Sequence, residues 1–151
     1  MREILFRGKS NWSDGQVKVG DWLYSMTISK HCYNDEEIES YYIGSGNRTI
    51  DGKTLGQYTG FTDKNGTKFF EGDYWIDTDG DYIVYVVEFR YGQFCFVSYS
   101  WCGASTPNGF DEFAGGWGEL DCEPMTDFNI ETIEIDGNIH DNPEILRGET
   151  E

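Results

Sequence analysis

Histidine, proline, positive charge and long apolar runs are all scarce in this 151-residue chain. It has 2 His, 3 Pro and 11 Lys and Arg against 28 Asp and Glu, for a formal net charge of −17. No segment reaches the ~20 apolar residues of a membrane span, and the N-terminus lacks the apolar stretch of roughly 7–15 residues that a signal peptide needs. These absences predict a cytoplasmic protein that binds no membrane. The negative charge would repel a phosphate backbone, so we expect no direct nucleic-acid partner.

Motifs for catalysis and cofactor binding are also missing. His31 and His140 are the only histidines, and neither lies in a nucleophile or metal motif. No P-loop and no GxGxxG leads from a strand into a helix. The four cysteines show no CxxC spacing, which predicts free thiols in a reducing compartment. They are Cys32, Cys95, Cys102 and Cys122. We therefore expect no enzyme activity and no cofactor.

One acidic run resembles the start of a calcium loop. Asp77, Asp79 and Asp81 alternate with Thr78 and Gly80, and hard cations want several oxygen ligands. An EF-hand loop needs Gly at its sixth position and Glu at its twelfth. Here the sixth is Tyr, and the Glu at the twelfth falls inside an apolar run. The sequence therefore favours a polar turn without a metal.

Aromatic residues and glycine are plentiful, at 17% and 19 residues. Aromatics favour pleated surfaces, and Gly supplies positive-φ positions in tight turns. The composition predicts a mainly β protein, with one domain over residues 1–147 and a frayed tail over 148–151.

Alternating and β-branched residues predict the strands. Tyr82 to Phe89 and Gln93 to Tyr99 form the clearest hairpin, connected by Arg90–Gly92. Val17 to Ile28 predicts a strand that is interrupted by a turn or bulge at Gly20-Asp21.

A second hairpin is predicted around an Asn-Gly turn. Asp63–Gly66 would join a strand at Gly56–Phe61 to one at Thr67–Phe70. The acidic stretch Asn34–Ser40 predicts a solvated loop or a single turn. Asn142 followed by Pro143 predicts a short helical turn through Leu146.

A long surface loop is predicted from Trp101 to Asp127, because Gly, acids and single aromatics occur there without a period. Four aromatics in it, Trp101, Phe110, Phe113 and Trp117, suit anchors for a protein partner. The alternative is that they cover the open end of a small barrel, since small domains need every large apolar side chain for burial.

Three stretches resemble the YopX family of bacteriophage and prophage proteins. They are MREILFRGK at the start, LGQYTGFTDKNGTKFFEGDYW from Leu55 to Trp75, and IDGNIHDNPEIL from Ile135 to Leu146. The resemblance implies a small SH3-type β-barrel and a phage or prophage origin, but no assigned biochemical role. With that origin, the expected location is the host bacterial cytoplasm. The most specific residues suit turns and bends, which makes a structural role the expectation. They are Gln57, Tyr58, Thr59, Gly60, Asp63, Asn65, Gly66, Glu71, Gly72 and Asp73.

Charge is distributed unevenly along the chain. Met1 to Lys30 carries five basic and three acidic residues, whereas Glu71 to Glu151 carries two basic and nineteen acidic. This favours binding of a basic protein partner, and one form of that hypothesis is an acidic inhibitor or nucleic-acid mimic of a host defence enzyme. An equally simple interpretation is that the acids keep a small protein soluble and monomeric.

The residues expected to bind the partner are acids and tryptophans of the predicted loop: Asp111, Glu112, Glu119, Asp121, Glu123, Trp101 and Trp117. Two alternatives remain open. One is a module that binds or sequesters a small ligand such as a nucleotide, against which the few basic residues count. The other is a phage structural component that self-assembles as a homo-oligomer through exposed strand edges.

Overall fold

The structure is a computed structural model that describes residues 3–33, 38–44, 48–80, 82–106 and 109–146. Twelve β-strands carry the fold in these residues, and the helical segments are four short 3₁₀ turns. The strands are β1 (Phe6–Lys9), β2 (Trp22–Ser25), β3 (Ile28–Tyr33), β4 (Ile38–Ile43), β5 (Thr49–Ile50), β6 (Gly56–Thr62), β7 (Lys68–Phe70), β8 (Asp73–Asp77), β9 (Ile83–Arg90), β10 (Gln93–Thr106), β11 (Gly109–Pro124) and β12 (Gly137–Asn138). The 3₁₀ turns are Gly52–Thr54, Met125–Asp127, Ile130–Thr132 and Pro143–Leu146.

The prediction of a mainly β protein is confirmed, whereas the SH3-type barrel is not. Among the described residues the strands form three open sheets, with orders β2-β1-β6-β7, β11-β10-β9-β8-β12 and β3-β4-β5. The pairings within them are antiparallel. No helix in this part of the chain is long and apolar enough to cross a membrane.

The chain divides into two compact units, residues 1–60 and residues 61–151, called below the N-terminal and C-terminal units. In the N-terminal unit, Ile43, Ile50 and Tyr58 are buried. Trp22 on β2 lies beside two cations of β1: the Arg7 guanidinium is 4.4 Å from the Trp22 ring centroid, and Lys9 Nζ is 5.4 Å from it.

Each face of the five-stranded sheet in the C-terminal unit carries a cluster of apolar side chains. Neighbouring residues of β8 and β9 pair as Tyr74 with Val86 and Trp75 with Tyr85, and successive side chains of a strand point to opposite faces. On the first face, Val87 and Phe96 pack with Phe69, Met125, Ile130 and Ile133. On the second face, Tyr74, Val84 and Val86 pack with Tyr99, Trp117, Ile139, Ile145 and Leu146.

The two predicted hairpins are confirmed. β9 and β10 pair from Ile83 with Ser100 to Arg90 with Gln93, around a turn at Tyr91-Gly92. At the Asn-Gly turn, the N–H of Asp63 donates to the carbonyl oxygen of Thr67 at 2.8 Å. The C-terminal helical turn is also confirmed as the 3₁₀ segment Pro143–Leu146.

The surface loop predicted from Trp101 to Asp127 is wrong. β10 continues to Thr106 and pairs with β11, so most of the region forms a long hairpin. Its register shifts twice, between Ser98 and Tyr99 and between Cys102 and Ala104. A β-bulge interrupts the alternation of side chains between the two faces of a strand. The sequence therefore lacks the period of two that would have predicted these strands.

Two further boundaries differ from the prediction. Val17–Val19 is not strand: β2 begins at Trp22, after a turn in which the N–H of Asp21 donates to the carbonyl oxygen of Lys18. Ile38–Ser40, the end of the predicted acidic loop, opens β4 and pairs with β3. Asn34–Glu37 lie outside the described residues. At Ile38–Ser40, pairing with β3 outweighs the low strand propensity of the acidic sequence.

Candidate functional site

An aromatic cluster lies on the second face of the five-stranded sheet and consists of Tyr82, Trp101 and Trp117. Trp101 and Trp117 are cross-strand partners in β10 and β11, with ring centroids 6.3 Å apart and an interplanar angle of 83°. The Tyr82 ring lies 5.9 Å from that of Trp117. Tyr82 is 47% exposed and Trp101 40%, whereas Trp117 packs into the core of this face. The cluster therefore presents aromatic surface to solvent while Trp117 connects it to the packed core of this face.

A charged network lies next to this cluster. The Arg90 guanidinium contacts Glu119 Oε1 at 2.7 Å and Glu88 Oε1 at 3.2 Å. The Tyr99 hydroxyl donates to Glu88 Oε2 at 2.8 Å. Burial and the hydrogen bond to Glu88 raise the pKa of Tyr99 well above its usual range. The hydrogen bond to Glu119 raises the pKa of Arg90 above its ordinary value. Tyr99 is thus a stable hydrogen-bond donor, not a general base.

The bulge in β11 divides the three carboxylates that the sequence grouped together. Ser98 pairs with Asp121, but the next residue of β10, Tyr99, pairs with Glu119, so Leu120 is the extra residue. Paired residues share a face of the sheet. Glu119 therefore lies on the second face with Trp101, and Asp121 and Glu123 lie on the first.

The other predicted partner-binding residues are described by their backbone alone. Asp111 and Glu112 lie in β11, where Asp111 pairs with Ala104. The structure thus brings Trp101, Trp117 and Glu119 together on one face and places Asp121 and Glu123 on the opposite one.

A cleft of about 450 Å³ lies elsewhere in the C-terminal unit and was not found from the sequence. Trp75 and Phe128 contribute aromatic walls, and Lys64 contributes a cation whose Nζ is 3.3 Å from Glu134 Oε2. Four carboxylates also line it: Asp77, Asp79, Glu134 and Asp136. Such a lining repels phosphate. The acids come from two segments far apart in sequence, so no local motif could have identified the cleft.

The acidic run at one side of this cleft forms a local turn. The N–H of Asp79 donates to Asp77 Oδ1 at 2.9 Å, and Asp81 lies outside the described residues. In the described part of the chain no three His, Cys, Asp or Glu side chains are grouped so as to hold a metal ion.

The residues of the family motif lie in strand β6, in the two turns that follow it and at the start of β8. Gln57 to Gly60 lie in β6, where Tyr58 and Thr59 are buried. Asn65 and Gly66 form the turn after Asp63, and Gly72 adopts φ 92° in the turn after Glu71. Asp73 Oδ2 accepts from the N–H of Phe70 at 2.8 Å and is buried. Positive φ at Gly60, Gly66 and Gly72 accounts for glycine at these three positions.

The carboxylate of Asp63 accepts hydrogen bonds from three backbone N–H groups. Its Oδ1 accepts from the N–H groups of Asn65 and Thr67, each at 2.9 Å, and its Oδ2 from that of Ile135 at 3.1 Å. Burial opposes ionisation, but these donors outweigh it and hold the pKa of Asp63 below its ordinary value.

The contacts described for the two histidines are ring packing and a backbone hydrogen bond, and the described cysteines are free thiols. The ring of His31 packs edge-on against Tyr42 at 4.9 Å, and the backbone N–H of His140 donates to Asn138 Oδ1. Cys95 and Cys122 are free thiols. Burial raises the pKa of Cys95, with a further contribution from Cys122, so Cys95 is a poor nucleophile at neutral pH.

A family model described as YopX protein matches residues 5–147, nearly the whole chain. No curated protein matches, and no solved structure does.

Proposed function

The chain belongs to the YopX protein family, and we propose that it is a phage or prophage accessory protein that binds a basic protein partner through its C-terminal unit. It would act without catalysing a reaction. In the sharpest form of the proposal it is an acidic inhibitor, and the partner is a host defence enzyme whose basic groove ordinarily holds nucleic acid.

The distribution of charge between the two units carries this proposal. Residues 61–151 contain 20 Asp and Glu against 4 Lys and Arg, whereas residues 1–60 contain 8 against 7. Almost all of the net charge of −17 thus belongs to the C-terminal unit. A requirement for solubility alone does not favour one unit over the other. A field of one sign steers a basic partner and speeds association.

The carboxylates of β11 lie on both faces of the sheet, and this indicates the kind of groove that a nucleic-acid mimic would occupy. Glu119 lies on one face of the sheet and Asp121 and Glu123 on the other. Acids on both sides of one strand suit a basic groove that encloses the strand better than a flat row of cations.

The proposal is tested by affinity capture of the tagged chain from lysate of the host bacterium, at low and at high salt. We expect one basic protein to be retained at low salt and lost at high salt, because exposed charge pairs are screened within ~10 Å at 0.1 M salt. Retention of a partner independent of salt would contradict an electrostatic mechanism. An empty capture at both salts, with the chain folded, would contradict partner binding in that host.

The two alternative functions receive less support. Nucleotide binding needs cations for the phosphates, and the cleft beside Trp75 has four carboxylates and one lysine in its lining. Self-assembly through the edge of β11 is opposed by its acidic side chains and its bulge, both of which discourage strand pairing.

A further inference from the structure

We propose that the aromatic cluster of Tyr82, Trp101 and Trp117 is the docking surface for an arginine-bearing segment of the protein partner. The inference rests on the proposed function and names the surface and the side chain by which the partner is held.

The cluster combines one packed aromatic side chain with two exposed ones, an arrangement that suits an anchor for a protein partner. Trp117 packs against the buried cluster of Tyr74, Val84 and Val86, while Trp101 and Tyr82 keep about two fifths of their surface exposed or more. Tyrosine and tryptophan have only two side-chain torsions, so ordering them on binding costs little conformational entropy. Exposed aromatics are enriched among the residues that dominate binding energies.

The charges around the cluster select the partner's chemistry. Glu119 is on the same face as Trp101, and its side chain is 44% exposed. Glu144 belongs to the 3₁₀ turn Pro143–Leu146, whose Ile145 and Leu146 pack on this face. The cation of the network, Arg90, is already bound to Glu88 and Glu119. The surface is therefore aromatic with an excess of carboxylate, which complements a cation and repels an acidic segment.

Arginine fits this combination better than lysine. Its planar guanidinium can stack on an aromatic ring and at the same time donate two parallel hydrogen bonds to a carboxylate. The N-terminal unit shows the same chemistry within the chain, where the Arg7 guanidinium lies 4.4 Å from the centre of the Trp22 ring.

The test uses the full chain and three short amidated peptides, in which glycine alternates with arginine, with lysine or with citrulline, the neutral analogue of arginine. Binding is followed at low salt by NMR of the tryptophan indole and backbone N–H groups. We expect the arginine peptide to shift Trp101, Trp117 and Glu119 and to bind more tightly than the lysine peptide. The citrulline peptide should bind at least ~10-fold more weakly, as loss of a charge-assisted contact implies.

Variants locate the surface. Trp101→Ala and the better-packed Trp101→Leu should each weaken the arginine peptide about 5- to 10-fold, the effect of losing a partly desolvated cation–π contact. Tyr91→Asn is the matched control, because Tyr91 is an exposed aromatic of the same unit at a positive-φ turn position that asparagine tolerates. It should bind like the unchanged protein.

The other outcomes separate this inference from the proposed function. An arginine peptide that binds both Trp101 variants unchanged, with shifts at Asp121 and Glu123, would overturn the docking surface and leave acidic binding standing. Equal affinity for citrulline would overturn recognition of the cation. A partner captured from lysate that binds unchanged to the Trp101 variants would overturn the inference but not the proposed function.

Discussion

Asp63 Oδ2 accepts a hydrogen bond from the backbone N–H of Ile135, 72 residues further along the chain, at 3.1 Å. The other oxygen of the same carboxylate closes the Asn-Gly turn through Asn65 and Thr67. The side chain of Asp63 thus joins the Asn-Gly turn of the second family-like stretch to Ile135, the first residue of the third.

We predict that replacing Asp63 destabilises the chain. Asp63→Ala leaves three N–H groups without their acceptor and should lower the free energy of unfolding by about 3 kcal/mol, since bonds to a charged group contribute ~1.5–3 kcal/mol each and their losses overlap. Asp63→Asn keeps one acceptor oxygen and should cost less. Chemical denaturation measures both. Asp127→Asn, at an exposed position, is the control and should change stability by under ~0.5 kcal/mol.

The pKa of Asp63 predicts how stability depends on pH. Because the pKa is lower in the folded chain, the unfolded chain binds more protons between the folded pKa and the ordinary value of about 3.9. The contribution of Asp63 is therefore complete above that ordinary value and is lost as the pH falls through the folded pKa. The stability difference between the unchanged chain and Asp63→Asn should shrink below about pH 4. A constant difference down to pH 2 would contradict this assignment.

The Tyr99 hydroxyl provides a third prediction. Tyr99→Phe removes its bond to Glu88 and leaves the ring in place, so we expect a loss of about 1 kcal/mol. Tyr85→Phe is the comparison on the opposite face of the sheet and should cost less, since no hydrogen bond of its hydroxyl accompanies its stacking on Trp75 among those described. Thermal unfolding of the two variants at equal protein concentration decides the question.

The edge of β11 makes a fourth prediction, on oligomeric state. The backbone N–H of Cys122 donates to Asp121 Oδ1 at 2.9 Å, and β11 is the outermost strand of its sheet. Asp121→Ala removes that acceptor as well as a charge, whereas Glu123→Ala removes only a charge. Sedimentation should therefore show more self-association for Asp121→Ala than for Glu123→Ala. Equal behaviour would mean that charge alone protects the edge.

The parts of the fold that the sequence predicts are those that local chemistry determines. The run Ile83–Arg90 is rich in β-branched and aromatic residues, which favour strands. Asn65-Gly66 favours a tight turn with positive φ at the glycine. Both hairpins could therefore be predicted from the sequence. β11 could not, because its glycines and acids have low strand propensity and its pairing with β10 supplies the order.

The candidate site was accessible from sequence only in part. Trp101 and Trp117 stand out as large aromatics between glycines, but their pairing depends on the register of two strands. The separation of Glu119 from Asp121 depends on one bulged residue, Leu120, and a slip of one position moves a side chain to the other face. The cleft beside Trp75 depends on contacts between distant segments.

The most direct test of the central claim keeps net charge constant and changes only its location. One variant neutralises Asp111, Glu112, Glu119, Asp121 and Glu123 to the corresponding amides. The other neutralises Glu3, Asp35, Glu36, Glu37 and Glu39, which removes the same five charges from the N-terminal unit. Affinity for the captured partner is measured by calorimetry over a series of salt concentrations. We predict that the first variant loses most of its affinity and salt dependence while the second retains both. Equal losses in the two variants would contradict binding through the C-terminal unit.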